Sequence, residues 1–390
     1  MPSDPSAGAR EAFPYVLVDR VLAVEPGVLA AGTKCVSAND PYFVGHFPGT
    51  PVLPGVLLCE AMTQLAARLA GEDELRLVAV DKARFRRPVL PGDTLALEVA
   101  CVEAGPPWRL HGVATAGDAL VAEIDFAAAA PAEARIHPTA SVADGAELGP
   151  GVRVDAYAVV GPHVRIGARS WIGPHAVVTG RTTMGAGCQI FQFASVGAPP
   201  QDQKYRGEPS ALEMGDRNVV REFVSINPGT VGGGMLTRIG DDCLFMVSSH
   251  VAHDCRVGNR AILANGAALG GHVTMEDHAI VGGLAGVHQF VRIGESALCA
   301  AGAMVSMDVP PYCTVAGDRA RLHGLNLVGL RRRGFSPGTI AALKHAYWLL
   351  FQTSGGRRGG IERVRAETAD VPQVAHLVDF VAASQRGVCR

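Results

Sequence analysis

The chain has 390 residues and a formal charge of −2, so there is no bulk basic excess for non-specific grip on a nucleic-acid backbone. Hydrophobic residues make up 48% and charged residues 18%, which excludes a largely disordered chain, and no run of 18 apolar residues offers a membrane span. Nine scattered cysteines without a Cys-x-x-Cys, behind an N-terminus lacking a signal-peptide pattern, read as reduced thiols of a cytoplasmic protein with no zinc site.

Residues 10–126 mix strand-like runs, 16–18 and 95–99, with one apolar stretch, 56–69, whose spacing predicts a buried helix between Pro54-Gly55 and Gly71. Within FVGHFPGTPVLPGVLLCEAMTQ (43–64), His46 falls in a Gly/Pro-rich turn and Glu60 on the apolar helix. A glutamate in such company has a raised pKa or faces a cavity. Paired with a histidine it suits the elimination of water from a 3-hydroxyacyl thioester, one group taking the α-proton and the other protonating the leaving hydroxyl. A turn histidine and a helix glutamate reaching solvent is the alternative.

This stretch, with VLVDRV (16–21) and DKARFRRPVLPGD (81–93), resembles the 3-hydroxyacyl-[acyl-carrier-protein] dehydratases. The resemblance implies an α+β hotdog fold, an active site at a dimer interface, and His46 and Glu60 as its catalytic residues, with the helix start near Gly55 polarising the thioester. Arg10-Glu11-Ala12 replaces the family's Pro-His-Arg, and Ala79 replaces a usual Gly.

The Ala-rich segment 126–134 reads as a linker, bounding a first domain at 1–126 with 127–134 as the connection. From 135 the pattern changes. Aliphatic residues recur every six positions from Ile136 through Val196, continue in phase at Met214, Val220 and Ile226, and resume from Ile239 through Val305. A period of six fits neither a helix nor a long strand. It predicts a hexapeptide-repeat parallel β-helix over 135–311, with three hexads per coil and about nine coils. Two breaks, 197–213 and 228–237, are loops projecting from it, where binding residues usually sit. The last segment, 312–390, is predicted to be helical, with helices over 337–351 and 373–384 separated by a Gly-rich stretch at 355–360.

His250, His253, His272 and His288 fall within 39 residues. Spacings of 19 and 16 lie near 18, so His253, His272 and His288 are expected on nearly the same face of successive coils. Asp254 can orient His253 as a general base, and Gly270-Gly271 offers an unobstructed N–H to an oxyanion. A structural histidine cluster and a metal site are the competing readings.

The stretches QDQKYRGEP (201–209), GDRNVVRE (215–222), HVAHDC (250–255), NRAILANGA (259–267), VHQF (287–290), DVPPY (308–312) and NLVGLRRRGFS (326–336) closely resemble the UDP-N-acetylglucosamine O-acyltransferases that begin lipid A synthesis. That resemblance implies a left-handed β-helix with an α-helical tail, assembled as a trimer, and a substrate pair of acyl carrier protein and UDP-N-acetylglucosamine. No cofactor is implied beyond the carrier's own phosphopantetheine. It implies His253 as base, Asp254 as its support and the Gly271 amide as oxyanion donor. His250, His272, His288 and Gln289 would contact the sugar nucleotide. Asp202 and Lys204 would bind substrate across a subunit boundary, and Asn326, Arg332 and Arg333 would serve the nucleotide or the carrier-linked arm. Asn227-Pro228 stands where the family has His-Arg, and Val328 where it has an acid. The whole reads as a fusion of two enzymes sharing one substrate, in a trimer or hexamer. In the alternative, the hotdog module is a non-catalytic carrier-docking or oligomerisation domain. An N-acyltransferase is the third option.

Overall fold

A computed structural model describes residues 16–72, 74–353, 356–368 and 371–390; Arg10-Glu11-Ala12 lies outside them. The chain divides into two compact units between Ala132 and Glu133.

In the first unit, strands β1 (Arg20–Glu25), β2 (Leu29–Cys35), β3 (Arg76–Phe85), β4 (Thr94–Glu103), β5 (Trp108–Ala116) and β6 (Ala119–Ala129) form one antiparallel sheet in the order β1-β2-β4-β5-β6-β3. The predicted helix is α1 (Gly55–Ala70). It buries Leu58, Met62, Leu65 and Leu69, a stripe at helical spacing, in one core with Leu95, Leu97 and Val99 of β4 and Ile124 and Phe126 of β6. Alternate residues of β4 face that core, as period-two geometry requires. Each buried side chain of this size contributes roughly 1.5–3 kcal/mol, so the stripe, more than helix propensity, holds α1 in place. This is the expected hotdog arrangement.

Two boundaries differ from expectation. Residues 16–18 form no strand: Leu17 is buried, and its N–H donates to Gln64 Oε1 (2.9 Å), so the run plugs the core from outside the ladder. The supposed linker begins inside β6. Ala127, Ala128 and Ala129 pair with β3, and the first two are buried, because alanine is small enough to close the sheet's end over the core. Alanine's composition signal for a linker was therefore misleading.

The second unit is a parallel β-helix. Two-residue strands stack into three sheets, each residue pairing with one 18 positions on, as in Val154↔Ile172 and Val251↔Leu269. The last residue of each of these strands, two or four residues long, is the predicted hexad residue, buried from Val154 onward, and the one before it faces out. Where the period breaks, the ladder does not: Gln189 pairs with Val219, 30 positions on, and Ser225 with His250, 25 on. The additional residues are extruded as loops from an unbroken solenoid.

The β-helix does not stop at 311. Strand Cys313–Ala316 pairs with Leu298–Cys299, and Arg321–Leu325 folds back on it, before α2 (Leu327–Arg332), α3 (Pro337–Phe351), α4 (Gly356–Thr368) and α5 (Pro372–Ala383). Residues 356–360 of the Gly-rich stretch belong to α4, and Gly360 lies against the Leu349 carbonyl of α3 where a side chain would not fit; Gly355 lies outside the described residues.

The tail is fixed to the late coils by charge. His376 of α5 lies between Glu276 (Nε2–Oε2 2.9 Å) and Glu295 (Nδ1–Oε2 3.5 Å), and Tyr312 donates to Glu295 (3.0 Å). Hydrogen bonding to Glu276, then to Glu295, raises His376 to about 9. A folded-state value above the unfolded one adds stability that is full below about pH 6.5 and is lost as pH rises toward 9. The melting temperature is therefore expected to fall from pH 6.5 to 9.5, and less steeply in His376→Asn. Equal slopes in the two proteins would refute this.

Candidate functional site

The coil carrying His250–Val251 turns at 252–255, and this turn brings the main cluster together. Asp254 is a turn residue with positive φ (59°) and a wholly buried side chain. Its Oδ2 pairs with His253 Nδ1 at 2.8 Å. A carboxylate can only accept there, so Nδ1 carries the proton and Nε2 is left as the ring's acceptor. Asp254 also accepts from Thr230, from the backbone N–H at Oδ1 (2.9 Å) and from the hydroxyl at Oδ2 (2.6 Å). Its own N–H donates to Thr237 Oγ1 (2.8 Å).

One coil on, the Gly271 backbone lies against the His253 ring. A Cβ there would fall 2.6 Å from Cε1 and 2.7 Å from Nε2. The flanking N–H groups are spent, Gly270 on the Val287 carbonyl and His272 on the His253 carbonyl. Among the described residues the Gly271 N–H has no partner. The arrangement thus offers a proton acceptor and an uncommitted amide at one place, which is what attack on a carbonyl carbon needs.

His272 stands edge-on to His253 (5.0 Å between ring centres) and stacks flat on Phe290 (4.2 Å). Burial lowers its pKa, against the pull of Asp254; the charges of Asp202 and Lys204 on the first loop also reach it. His250 shares a 2.7 Å hydrogen bond with Ser225 Oγ, and burial lowers its pKa as well. Both imidazoles are thereby held toward the neutral form.

The expected stack of three imidazoles is not what forms. Strict steps of 18 run 254, 272, 290, so the ring above His272 is Phe290. His288 lies exposed to one side, its Nδ1 accepting from Arg386 (3.0 Å), with Gln289 exposed beside it. Asn326 also departs from expectation. It is buried as the N-cap of α2, its Oδ1 accepting from Gly329 N (3.1 Å) and its Nδ2 donating to the Ser296 carbonyl (3.0 Å), so both ends of the amide serve the fold. Arg333 is half-buried, donating to the His278 carbonyl (2.6 Å), while Arg331 and Arg332 are exposed. On the first loop Asp202 accepts from the Lys204 N–H (2.9 Å).

His253, Asp254 and His272 place three potential metal-donor atoms within 4.8 Å of one another. Three hydrogen-bond donors already occupy the Asp254 carboxylate, so a cation there would displace one of them. Sequence reasoning missed Thr230, Thr237, Ser225 and Arg386. The first two lie in the 228–237 break, where the hexad pattern fails and gives no sign of which side chains turn inward.

In the first unit, His46 Nδ1 donates to the Val52 carbonyl (2.8 Å), again leaving Nε2 as acceptor. Glu60 is raised above the usual carboxylate range by burial, opposed by a hydrogen bond from Gln64 (2.9 Å). The two side chains are not each other's hydrogen-bond partners within one protomer. Phe85 packs on the start of α1, where a Cβ at Gly55 would meet its ring at 2.8 Å.

Comparison with known proteins places both units. Residues 11–125 match the FabA-like domain family, 236–271 the bacterial transferase hexapeptide family, and 308–389 the second domain of UDP-N-acetylglucosamine O-acyltransferase. An acyl-[acyl-carrier-protein]–UDP-N-acetylglucosamine O-acyltransferase of Alkalilimnicola ehrlichii is 52% identical over 198 residues, covering 51% of this chain and 77% of that protein. Its counterpart from Paracoccus denitrificans is 54% identical over 192 residues, covering 49% and 72%. Among solved structures, LpxA from Acinetobacter baumannii aligns with a TM-score of 0.63 at 40% identity, covering 65% of this chain and 99% of that one.

Proposed function

The chain belongs to the acyl-[acyl-carrier-protein]–UDP-N-acetylglucosamine O-acyltransferase family, and from that premise we propose that it moves a 3-hydroxyacyl group from acyl carrier protein to the 3-hydroxyl of UDP-N-acetylglucosamine. The observation that carries this is the free Gly271 amide beside His253, whose Nδ1 is held by Asp254. His253 Nε2 takes the hydroxyl proton as the oxygen attacks the thioester carbon. The carbonyl oxygen becomes an oxyanion facing the Gly271 N–H. Collapse expels the carrier's thiolate, which takes the proton back from His253. No acyl-enzyme is needed, and the interior cysteines are poor nucleophiles, burial pushing the Cys243 thiol up to about 12. His250 and His272, held toward neutral, with His288 and Gln289, line the acceptor side; Asp202 and Lys204 approach from the first loop, in a homo-oligomer built on trimers.

The test is to supply purified protein with 3-hydroxyacyl carrier protein and the sugar nucleotide. An alkali-labile ester product is expected. An alkali-stable amide would replace this reading with N-acyl transfer.

The acidic carrier needs a basic landing surface. Arg86 and Arg87 are committed to Glu123 and Asp93, whereas Arg331 and Arg332 are exposed on α2. Replacing both of the latter by alanine is expected to raise the KM for carrier-linked donor roughly ten-fold, with little change for the sugar nucleotide. An unchanged donor KM removes α2 from docking.

For the first unit, we propose dehydration of the same 3-hydroxyacyl carrier protein to the trans-2-enoyl form. Glu60, its carboxyl shifted by burial toward the acid form, protonates the leaving hydroxyl, and His46 Nε2 removes the α-proton. The two activities on one chain would draw on a common donor.

A further inference from the structure

We propose that Thr230 is a positioning residue for acyl transfer: the turn Thr230–Gly233 clamps the Asp254 carboxylate so that it serves His253 and not His272. The inference rests on His253 being the base. Asp254 has two imidazoles within reach, His253 Nδ1 at 2.8 Å and His272 Nε2 at 3.9 Å from the same Oδ2. A carboxylate free to turn about its χ2 would be shared between them. It is not free. Thr230 donates to both oxygens, backbone N–H to Oδ1 and hydroxyl to Oδ2, which fixes the plane of the group. The side chain is fully buried, so no water replaces either donor if it is lost.

Thr230 is itself held. Its carbonyl accepts from Gly233 N (3.1 Å) and Met235 N (2.8 Å), closing a tight turn. Gly233 lies face to face with the Asp254 carboxylate; a Cβ there would occupy the space of the carboxyl group. At the far end of the insertion, Thr237 accepts the Asp254 N–H. From Ile226 to Ile239 is 13 positions where the solenoid needs six. The seven additional residues thus grip a group on the next coil, which a regular hexad has no backbone to reach. Thr230 is buried and spends its hydroxyl on Asp254, so it acts through that residue and not on substrate.

The test is steady-state acyl transfer by the full-length protein with 3-hydroxyacyl carrier protein and UDP-N-acetylglucosamine. Thr230→Val keeps the shape and removes the hydroxyl; kcat is expected to fall about ten-fold, the loss of one hydrogen bond to a charged group, with both KM values within about two-fold. Thr230→Ser restores kcat. Gly233→Ala, which pushes the turn off the carboxylate, reproduces the loss and stands in if Thr230→Val does not fold. In an Asp254→Ala background Thr230→Val costs nothing further. Full kcat in Thr230→Val or Gly233→Ala, a loss appearing in KM, or undiminished additivity with Asp254→Ala would overturn the positioning role. An active His253→Ala enzyme would instead overturn the underlying assignment of the base.

Discussion

His253→Ala is expected to lower kcat for acyl transfer by roughly three orders of magnitude, within the range for a lost general base. The sugar hydroxyl is a weak acid and a poor nucleophile at neutral pH, and among the described residues of the cluster His253 is the imidazole whose Nδ1 is tied to Asp254. His250 is committed to Ser225, and His272 has the less favourable approach to Asp254. Asp254→Asn should cost less, because the imidazole survives while its preferred tautomer is no longer enforced. The measurement is kcat at saturating concentrations of both substrates, beside a melting curve. A His253→Ala protein of wild-type Tm with more than about a tenth of wild-type kcat would transfer the role of base elsewhere. Substrate affinity should change little, since the histidine's contribution grows only as the hydroxyl deprotonates.

What could be read beforehand, and what could not, follows from the range of the interactions. The hexads are legible because one aliphatic side chain per strand must point inward, and Val154 through Val305 do so. Helix α1 is legible because its apolar stripe has helical spacing. Val16-Leu17-Val18 misleads because β-branched composition cannot distinguish a ladder strand from a core plug tied to Gln64. The alanines at 127–129 mislead because a small residue is equally at home in a linker and under a sheet's end. In the site, His253, Asp254 and Gly271 come together as their spacing implies, one coil apart. His288 does not join them, because a spacing of 16 instead of 18 moves a side chain off the stack and leaves Phe290 against His272. Thr230 was invisible to periodicity since it lies in the segment where the period fails, and only the fold brings it to Asp254.

Glu60→Gln is expected to abolish dehydration, by at least about a hundred-fold, and to leave acyl transfer untouched. Glutamine preserves size and can still bond Gln64, so the apolar helix should keep its packing, but it cannot deliver a proton to a departing hydroxyl. Burial is the reason the natural residue can: it holds the Glu60 carboxyl above its usual range, so the acid form persists further toward neutral pH than on an exposed side chain. His46→Ala should show the same selective loss, since its Val52-fixed tautomer leaves Nε2 to receive the α-proton. The measurement is mass spectrometry of 3-hydroxyacyl carrier protein incubated with full-length protein and no sugar nucleotide, following loss of one water from the acyl chain. Conversion by the natural protein that fails in both variants makes the first unit an enzyme competing with the second for one donor. If the natural protein converts nothing across a series of chain lengths while still acylating the sugar nucleotide, the first unit is a carrier-docking or assembly module that has kept the residues of a dehydratase. A natural protein that dehydrates and a Glu60→Gln variant that does so equally well would instead retain the activity and move the acid to another group.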